Sequence, residues 1–255
     1  MKRLVMLVPV LLLLPAVLFG QSDPMDAATP NVSFEAADGT TLRGYAARPA
    51  GPGPYPGVLM IHEWWGLNVD MTRLADALAE RGAVVLAPDT FRGSVAQTPQ
   101  DAMAQIRSTP QEQIASDLDA ALEALRSHEV VDADRVAVMG FCFGGTQAMH
   151  LGTRAEGLSA VVTLYGSGPI QNADELGNMA ENGPLLGIFG EEDGSIPMEE
   201  VRGFEAALNE AGVENTITVY PGVGHAFVKS TTYDQGGAPE EAWNQLVGFL
   251  TAELR

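Results

Sequence analysis

Short apolar runs alternate with amphipathic stretches along most of the chain. Residues 32–34 and 41–46 flank Asp38-Gly39, which predicts two antiparallel strands joined by a tight turn. Residues 48–56 are rich in Pro and Gly and predict a loop. The run Gly57-Val58-Leu59-Met60-Ile61-His62 is apolar almost throughout, the pattern of a strand buried on both faces. Leu74, Ala77 and Leu78 share one helical face, so a helix is expected over 70–81, stopped by Gly82. A strand over 83–87 follows, and residues 90–110 read as irregular or weakly helical. Ile114, Leu118, Ala121, Leu122 and Leu125 predict a helix over 112–127. Further strands are expected over 135–141, 160–164, 185–189 and 216–220. Further helices are expected after residue 143 and over 199–211 and 240–254. The order is two antiparallel strands followed by alternating strands and helices. It predicts an α/β fold with a mostly parallel central sheet, helices on both faces and an antiparallel N-terminal hairpin.

The first twenty residues break this pattern. Lys2 and Arg3 precede an apolar run over 4–19, the form of a secretory signal peptide. Pro9, Pro15 and the short length argue against a membrane-spanning helix. Cleavage is expected near Leu18-Phe19-Gly20, with Ala27-Ala28 as a second site, and an uncleaved anchor is the competing reading. The chain then reads as a leader over 1–20, a polar linker over 21–31 and one domain over 32–255. It is expected to be exported, periplasmic or extracellular, without stable membrane association after cleavage. The 255 residues are 46% hydrophobic and 18% charged, enough for one large core. A net charge of -19 argues against nucleic acid as a partner, because phosphates would be repelled. Nothing in the pattern calls for a second subunit, and the chain is read as a monomer.

The one cysteine, Cys142, lies in Gly140-Phe141-Cys142-Phe143-Gly144-Gly145, directly after an apolar strand. A strand running into Gly-x-nucleophile-x-Gly-Gly is the sequence form of a nucleophile elbow. A lone cysteine is otherwise most often a small buried hydrophobe, and the surrounding glycines reverse that reading. Of the four histidines, His225 lies in a glycine-rich loop after the last predicted strand, where a general base is expected. His128 reads as surface, His150 as structural and His62 as a strand end near the site rim. Asp193, in the turn from Gly190 to Pro197, is the candidate acid, with Glu192 as the alternative. The backbone amides of Phe143 and Trp64 are candidate oxyanion donors. Glu63 sits at the carboxyl end of a buried strand, where a carboxylate needs a partner. The histidines are scattered and no second cysteine exists, so no metal and no cofactor is expected.

Taken with His62-Glu63-Trp64-Trp65-Gly66-Leu67-Asn68, Ala87-Pro88-Asp89 and Gly224-His225-Ala226-Phe227, these motifs resemble the dienelactone hydrolase family, the carboxymethylenebutenolidases and their relatives. The resemblance implies the α/β-hydrolase fold, a Cys142–His225–Asp193 triad and a Glu63 that helps to activate the thiol. It implies hydrolysis of a small-molecule ester or lactone. It also implies cationic side chains for a substrate carboxylate. Arg92 is one candidate, and Lys229 stands where the family carries a second arginine. Tyr233 and the closing Ala242-Trp243-Asn244-Gln245-Leu246 are similar to the family's end, and Tyr233 joins the candidate substrate-binding residues. A general carboxylesterase or an acyltransferase would use the same residues. A non-catalytic binding protein is the reading from another class.

Overall fold

A computed structural model describes residues 22–255. The expected leader therefore lies outside the described residues. Eight strands form one sheet in the order β1-β2-β4-β3-β5-β6-β7-β8. The hairpin is β1 (Val32–Glu35) and β2 (Thr41–Ala47), and Gly39 turns it at φ 81°. β2 is antiparallel to β4 (Val84–Pro88). From β4 onward all pairs are parallel, through β3 (Tyr55–Ile61), β5 (Val131–Phe141), β6 (Ala160–Leu164), β7 (Leu185–Gly190) and β8 (Asn215–Tyr220). Successive side chains of a strand point to opposite faces, yet every residue of β4, β6 and β7 is buried. Both faces of the sheet are therefore covered.

The covering helices are α1 (Val69–Ala79), α2 (Pro99–Ser108), α3 (Gln111–Arg126), α4 (Phe143–Gly152), α5 (Ala173–Leu176), α6 (Met198–Glu210) and α7 (Gly237–Glu253). Asn68 caps α1 by accepting from the Met71 amide at 3.1 Å, and Gly82 reverses the chain after it at φ 103°. The segment expected to be irregular or weakly helical holds α2, a ten-residue helix. Thr98 caps it by accepting from the Asp101 amide, and Pro99 opens its first turn. The short α5 has no counterpart in the sequence reading.

The expected linker is corrected. Residues 22–31 are tied to the body by a run of hydrogen bonds. The amides of Ala28 and Asn31 donate to the carbonyls of Leu67 and Gly44. The carbonyls of Asp26 and Pro24 accept from the Val69 and Asp70 amides at the start of α1. The side chains of Arg73 and Gln97 donate to the carbonyls of Ser22 and Met25. The segment caps the first turn of α1, whose amides have no partners within the helix.

Candidate active site

β5 ends at Phe141 and α4 begins at Phe143, so the whole strand-to-helix turn falls on Cys142, at φ 52° and ψ -116°. A non-glycine residue with positive φ is strained, at a cost on the order of 1–3 kcal/mol, and persists only where its surroundings enforce it. Here the flanking glycines enforce it. A Cβ on Gly144 would lie 2.1 Å from the Ile61 carbonyl oxygen, and one on Gly140 would lie 2.0 Å from that of Gly144. The turn packs tightly enough that only glycine fits at either place. The Cys142 amide donates to the Leu164 carbonyl at 2.9 Å, which fastens the turn to β6.

The thiol is half-buried and faces the backbone amides of Phe143 and Trp64, the two donors expected of an oxyanion hole. Burial, and then the neighbouring Glu63 carboxylate, push its pKa up to about 12. The two amides pull the other way without reversing the balance. The resting side chain is therefore a neutral thiol.

Asp193 follows β7 and His225 follows β8, adjacent parallel strands whose carboxyl ends point the same way. His225 Nδ1 lies 2.6 Å from Asp193 Oδ2. Asp193 Oδ1 accepts from the Ser195 amide at 2.9 Å and from its hydroxyl at 2.6 Å. Asp193 is only 6% exposed. Burial pushes its pKa up, but the hydrogen bonds from Ser195 and His225 outweigh burial and hold it below the usual carboxylate range. The Tyr165 ring packs edge-on to the imidazole, with centroids 5.3 Å apart. With Nδ1 engaged by Asp193, Nε2 is the nitrogen left for the cavity. Among the described residues no hydrogen bond joins Sγ to the imidazole.

Glu63 is 3% exposed and leaves Oε1 without a hydrogen-bond partner. Its Oε2 lies 3.6 Å from Lys229 Nζ. Burial raises its pKa, and the Lys229 and His225 charges oppose that rise. Lys229 is held in place by its neighbour. The amide and hydroxyl of Ser230 both donate to Asp70 Oδ1, at 3.0 and 2.5 Å. Asp70 sits in the first turn of α1, where a carboxylate also complements the helix dipole.

Cys142, Asp193, His225, Glu63 and Lys229 line a single cavity of about 770 Å³. Trp64, Trp65, Met103, Ile106, Phe143 and Ala226 make much of the remaining wall apolar, and Gln111, Thr146, Gln147, Ser167 and Ser195 add polar groups to it. Met103 and Ile106 come from α2, so the segment expected to be irregular forms one side of the site. Gln105 of the same helix donates to the Trp64 carbonyl and accepts from Ser94 Oγ at 2.9 Å. The sequence reading missed these three residues and Ser195. The Thr98–Pro99 start signal could have found the helix.

Two expected substrate-binding residues lie elsewhere. Arg92 makes a paired contact to Asp117 of α3, at 2.9 and 2.8 Å, and does not line the cavity. Tyr233 packs against Trp243 with ring centroids 4.9 Å apart, also outside the lining. His62 is fully buried and not at a rim. Its Nε2 accepts from the Thr90 amide at 3.2 Å, which ties the ends of β3 and β4 together. His150 is exposed on α4. Among the described residues no cluster of three His, Cys, Asp or Glu side chains could hold a metal ion.

Residues 42–254 match the dienelactone hydrolase family. The chain belongs to this family. It is 34% identical over 235 residues to Protein usf of Aquifex pyrophilus, covering 88% of this chain and 98% of that one. It is 31% identical over 236 residues to a provisionally named carboxymethylenebutenolidase of Aquifex aeolicus, with the same coverage of 88% and 98%. A solved structure of a provisionally assigned dienelactone hydrolase from Klebsiella pneumoniae superposes with a TM-score of 0.75 at 25% identity, over 86% of this chain and 97% of that one. This dienelactone hydrolase family member is a hydrolase with the α/β-hydrolase fold, and a small-molecule ester fits the chemistry of the family.

Proposed function

We propose that this family member cleaves a carboxylic ester or lactone by acyl transfer through Cys142. The observation that carries this reading is the thiol itself. It stands on a strained turn facing two backbone amides, in the same cavity as the His225–Asp193 pair.

The Sγ proton leaves to His225 Nε2, and Sγ bonds to the carbonyl carbon of the substrate. The carbonyl oxygen takes up the negative charge, and the Trp64 and Phe143 amides stabilise it in place. Asp193 holds the imidazole tautomer and stabilises the imidazolium while it exists. The tetrahedral species then breaks its C–O bond. The departing alcohol, or the freed hydroxyl of a lactone, takes the proton from His225, and a thioester remains. His225 next deprotonates a water molecule, which attacks the thioester and releases the acid and the thiol.

Glu63 enters through its charge. While ionised beside the thiol it opposes thiolate formation, which accounts for part of the raised thiol pKa. Once Glu63 takes up a proton from solvent, that opposition disappears, and the Sγ proton passes more readily to His225. Lys229 steadies the ionised form.

Export remains part of the proposal, on the strength of the leader-like residues 1–20. N-terminal sequencing of the secreted protein checks it, and an intact Met1 on a cytosolic product contradicts it. The catalytic proposal is tested by p-nitrophenyl acetate hydrolysis. Cys142→Ala should reduce kcat to background, and an unchanged rate would refute the nucleophile.

A further inference from the structure

Among the described histidines only His62 is fully buried, and the reaction written above does not use it. It packs against the Phe91 and Phe143 rings, with centroids 5.3 and 6.3 Å away. A polar ring in such a place costs free energy unless both of its nitrogens find partners. Both do. Nδ1 lies 2.7 Å from the Glu63 carbonyl oxygen, and Nε2 lies 3.2 Å from the Thr90 amide and 2.9 Å from the Thr90 hydroxyl. These partners dictate where the ring hydrogen sits. A carbonyl oxygen can only accept, so Nδ1 carries the hydrogen. A backbone amide can only donate, so Nε2 carries none. Burial holds the ring's pKa below the usual histidine value against the pull of the Asp89 carboxylate, and the imidazole stays neutral.

The carbonyl that Nδ1 holds belongs to the peptide unit joining Glu63 to Trp64. The amide of that same unit is one of the two that face the thiol. A trans peptide is planar, with its C=O and N–H pointing in opposite directions, so fixing the oxygen fixes the line of the N–H. The Gly66 amide gives the oxygen a second hydrogen bond, at 3.1 Å. That bond closes a turn inside the loop and moves with it. The His62 ring is anchored outside the loop, through Thr90 just past β4. The next carbonyls are fastened separately. That of Trp64 accepts from Gln105 Nε2, and that of Trp65 accepts from the Ala96 amide at 2.8 Å. They hold the path of the loop, whereas His62 acts on the peptide whose N–H meets the developing charge.

We infer that His62 is a positioning residue of the oxyanion hole: its Nδ1–H grips the Glu63 carbonyl and so aims the Trp64 amide at the substrate oxygen. The imidazole does not line the cavity and acts only through this peptide. The inference rests on the acyl-transfer reading above and adds a residue to it. A donor aimed before the reaction begins needs no reorganisation as charge develops. The tetrahedral species before and after the thioester both place their charge on this oxygen. A misaimed amide therefore slows kcat whichever step limits it.

Two amide side chains separate the two ends of the ring. His62→Asn keeps a donor at the position of Nδ1. His62→Gln keeps an acceptor for Thr90 at the position of Nε2 but has no donor at that of Nδ1. Both variants are assayed on p-nitrophenyl acetate beside the wild type, with Cys142→Ala as blank, and for alkylation of Cys142 by iodoacetamide. Alkylation attacks a saturated carbon and forms no oxyanion. His62→Gln should lower kcat about tenfold, less than the loss of a whole oxyanion donor, while His62→Asn keeps about a third or more of it. Alkylation rates should stay within about twofold of the wild type in both, since the thiol itself is untouched. Thr90→Val removes the hydroxyl that steadies Nε2 and leaves the amide, and should lower kcat about threefold with alkylation unchanged. Equal kcat in His62→Asn and His62→Gln, a wild-type kcat in Thr90→Val, or alkylation that falls in step with kcat overturns the inference and leaves the thiol mechanism standing. Turnover that survives in Cys142→Ala, or none in the wild type, overturns the mechanism and this inference with it.

Discussion

At the scale of single residues, the site is a set of charges held against their solvent preferences. The thiol is kept neutral by burial and by Glu63, so removing the Glu63 charge should ease its ionisation. In Glu63→Gln, alkylation of Cys142 by iodoacetamide should rise at lower pH than in the wild type, because the thiolate no longer meets a carboxylate. Ester turnover in the same variant should not fall, because His225 and not Glu63 takes the Sγ proton. A variant with an unchanged alkylation profile would contradict the electrostatic role. Ser195 supplies two of the three hydrogen bonds to the Asp193 carboxylate. Its hydroxyl helps hold the Asp193 pKa down, so the aspartate stays ionised as pH falls. In Ser195→Ala that pKa rises, and the acid limb of the kcat/KM profile should move to higher pH. The accompanying loss at neutral pH should be about tenfold, the worth of one hydrogen bond to a charged group. Cys142, His225, Asp193 and Glu63 could be read from the chain because each lies just past an apolar run, and strand ends converge in such sheets. Arg92 could not be placed that way. Its partner Asp117 is 25 positions later on α3, and no periodicity relates the two.

At the scale of elements, the elbow depends on contacts too close for any side chain. A methyl group at Gly144 would meet the Ile61 carbonyl oxygen, which belongs to the backbone of a central strand and cannot yield. Gly144→Ala should therefore destabilise the protein by more than about 3 kcal/mol, read as a large fall in Tm or as insoluble protein. A Tm near that of the wild type would contradict the packing. The strands were legible because a doubly covered sheet writes continuous apolar runs into the sequence. α2 was less so. It buries only Ala102 and Gln105, and its large apolar residues, Met103 and Ile106, face the cavity. A helix that serves the site more than the core carries a weak apolar stripe.

At the scale of the whole molecule, one sheet carries the proposed nucleophile, acid and base, Cys142, Asp193 and His225, on three strand ends, and the N-terminal segment closes against it. The polar composition of residues 21–31 reads as a linker, because hydrogen bonds to backbone carbonyls leave no trace in side-chain pattern. The bonds of residues 22–31 to α1 and β2 make that stretch part of the fold. A chain beginning at residue 32 should melt several degrees below one beginning at residue 22, and equal Tm values would contradict that attachment. The central claim, a thioester on Cys142, is most directly tested by trapping it. The protein is mixed with excess p-nitrophenyl phenylacetate, quenched in acid within the first turnovers and weighed intact by mass spectrometry, then mapped by peptide digestion. The account predicts one added acyl group, carried by the peptide containing Cys142 and absent from Cys142→Ala. Acylation at another residue, or undiminished turnover with no adduct in Cys142→Ala, would contradict it.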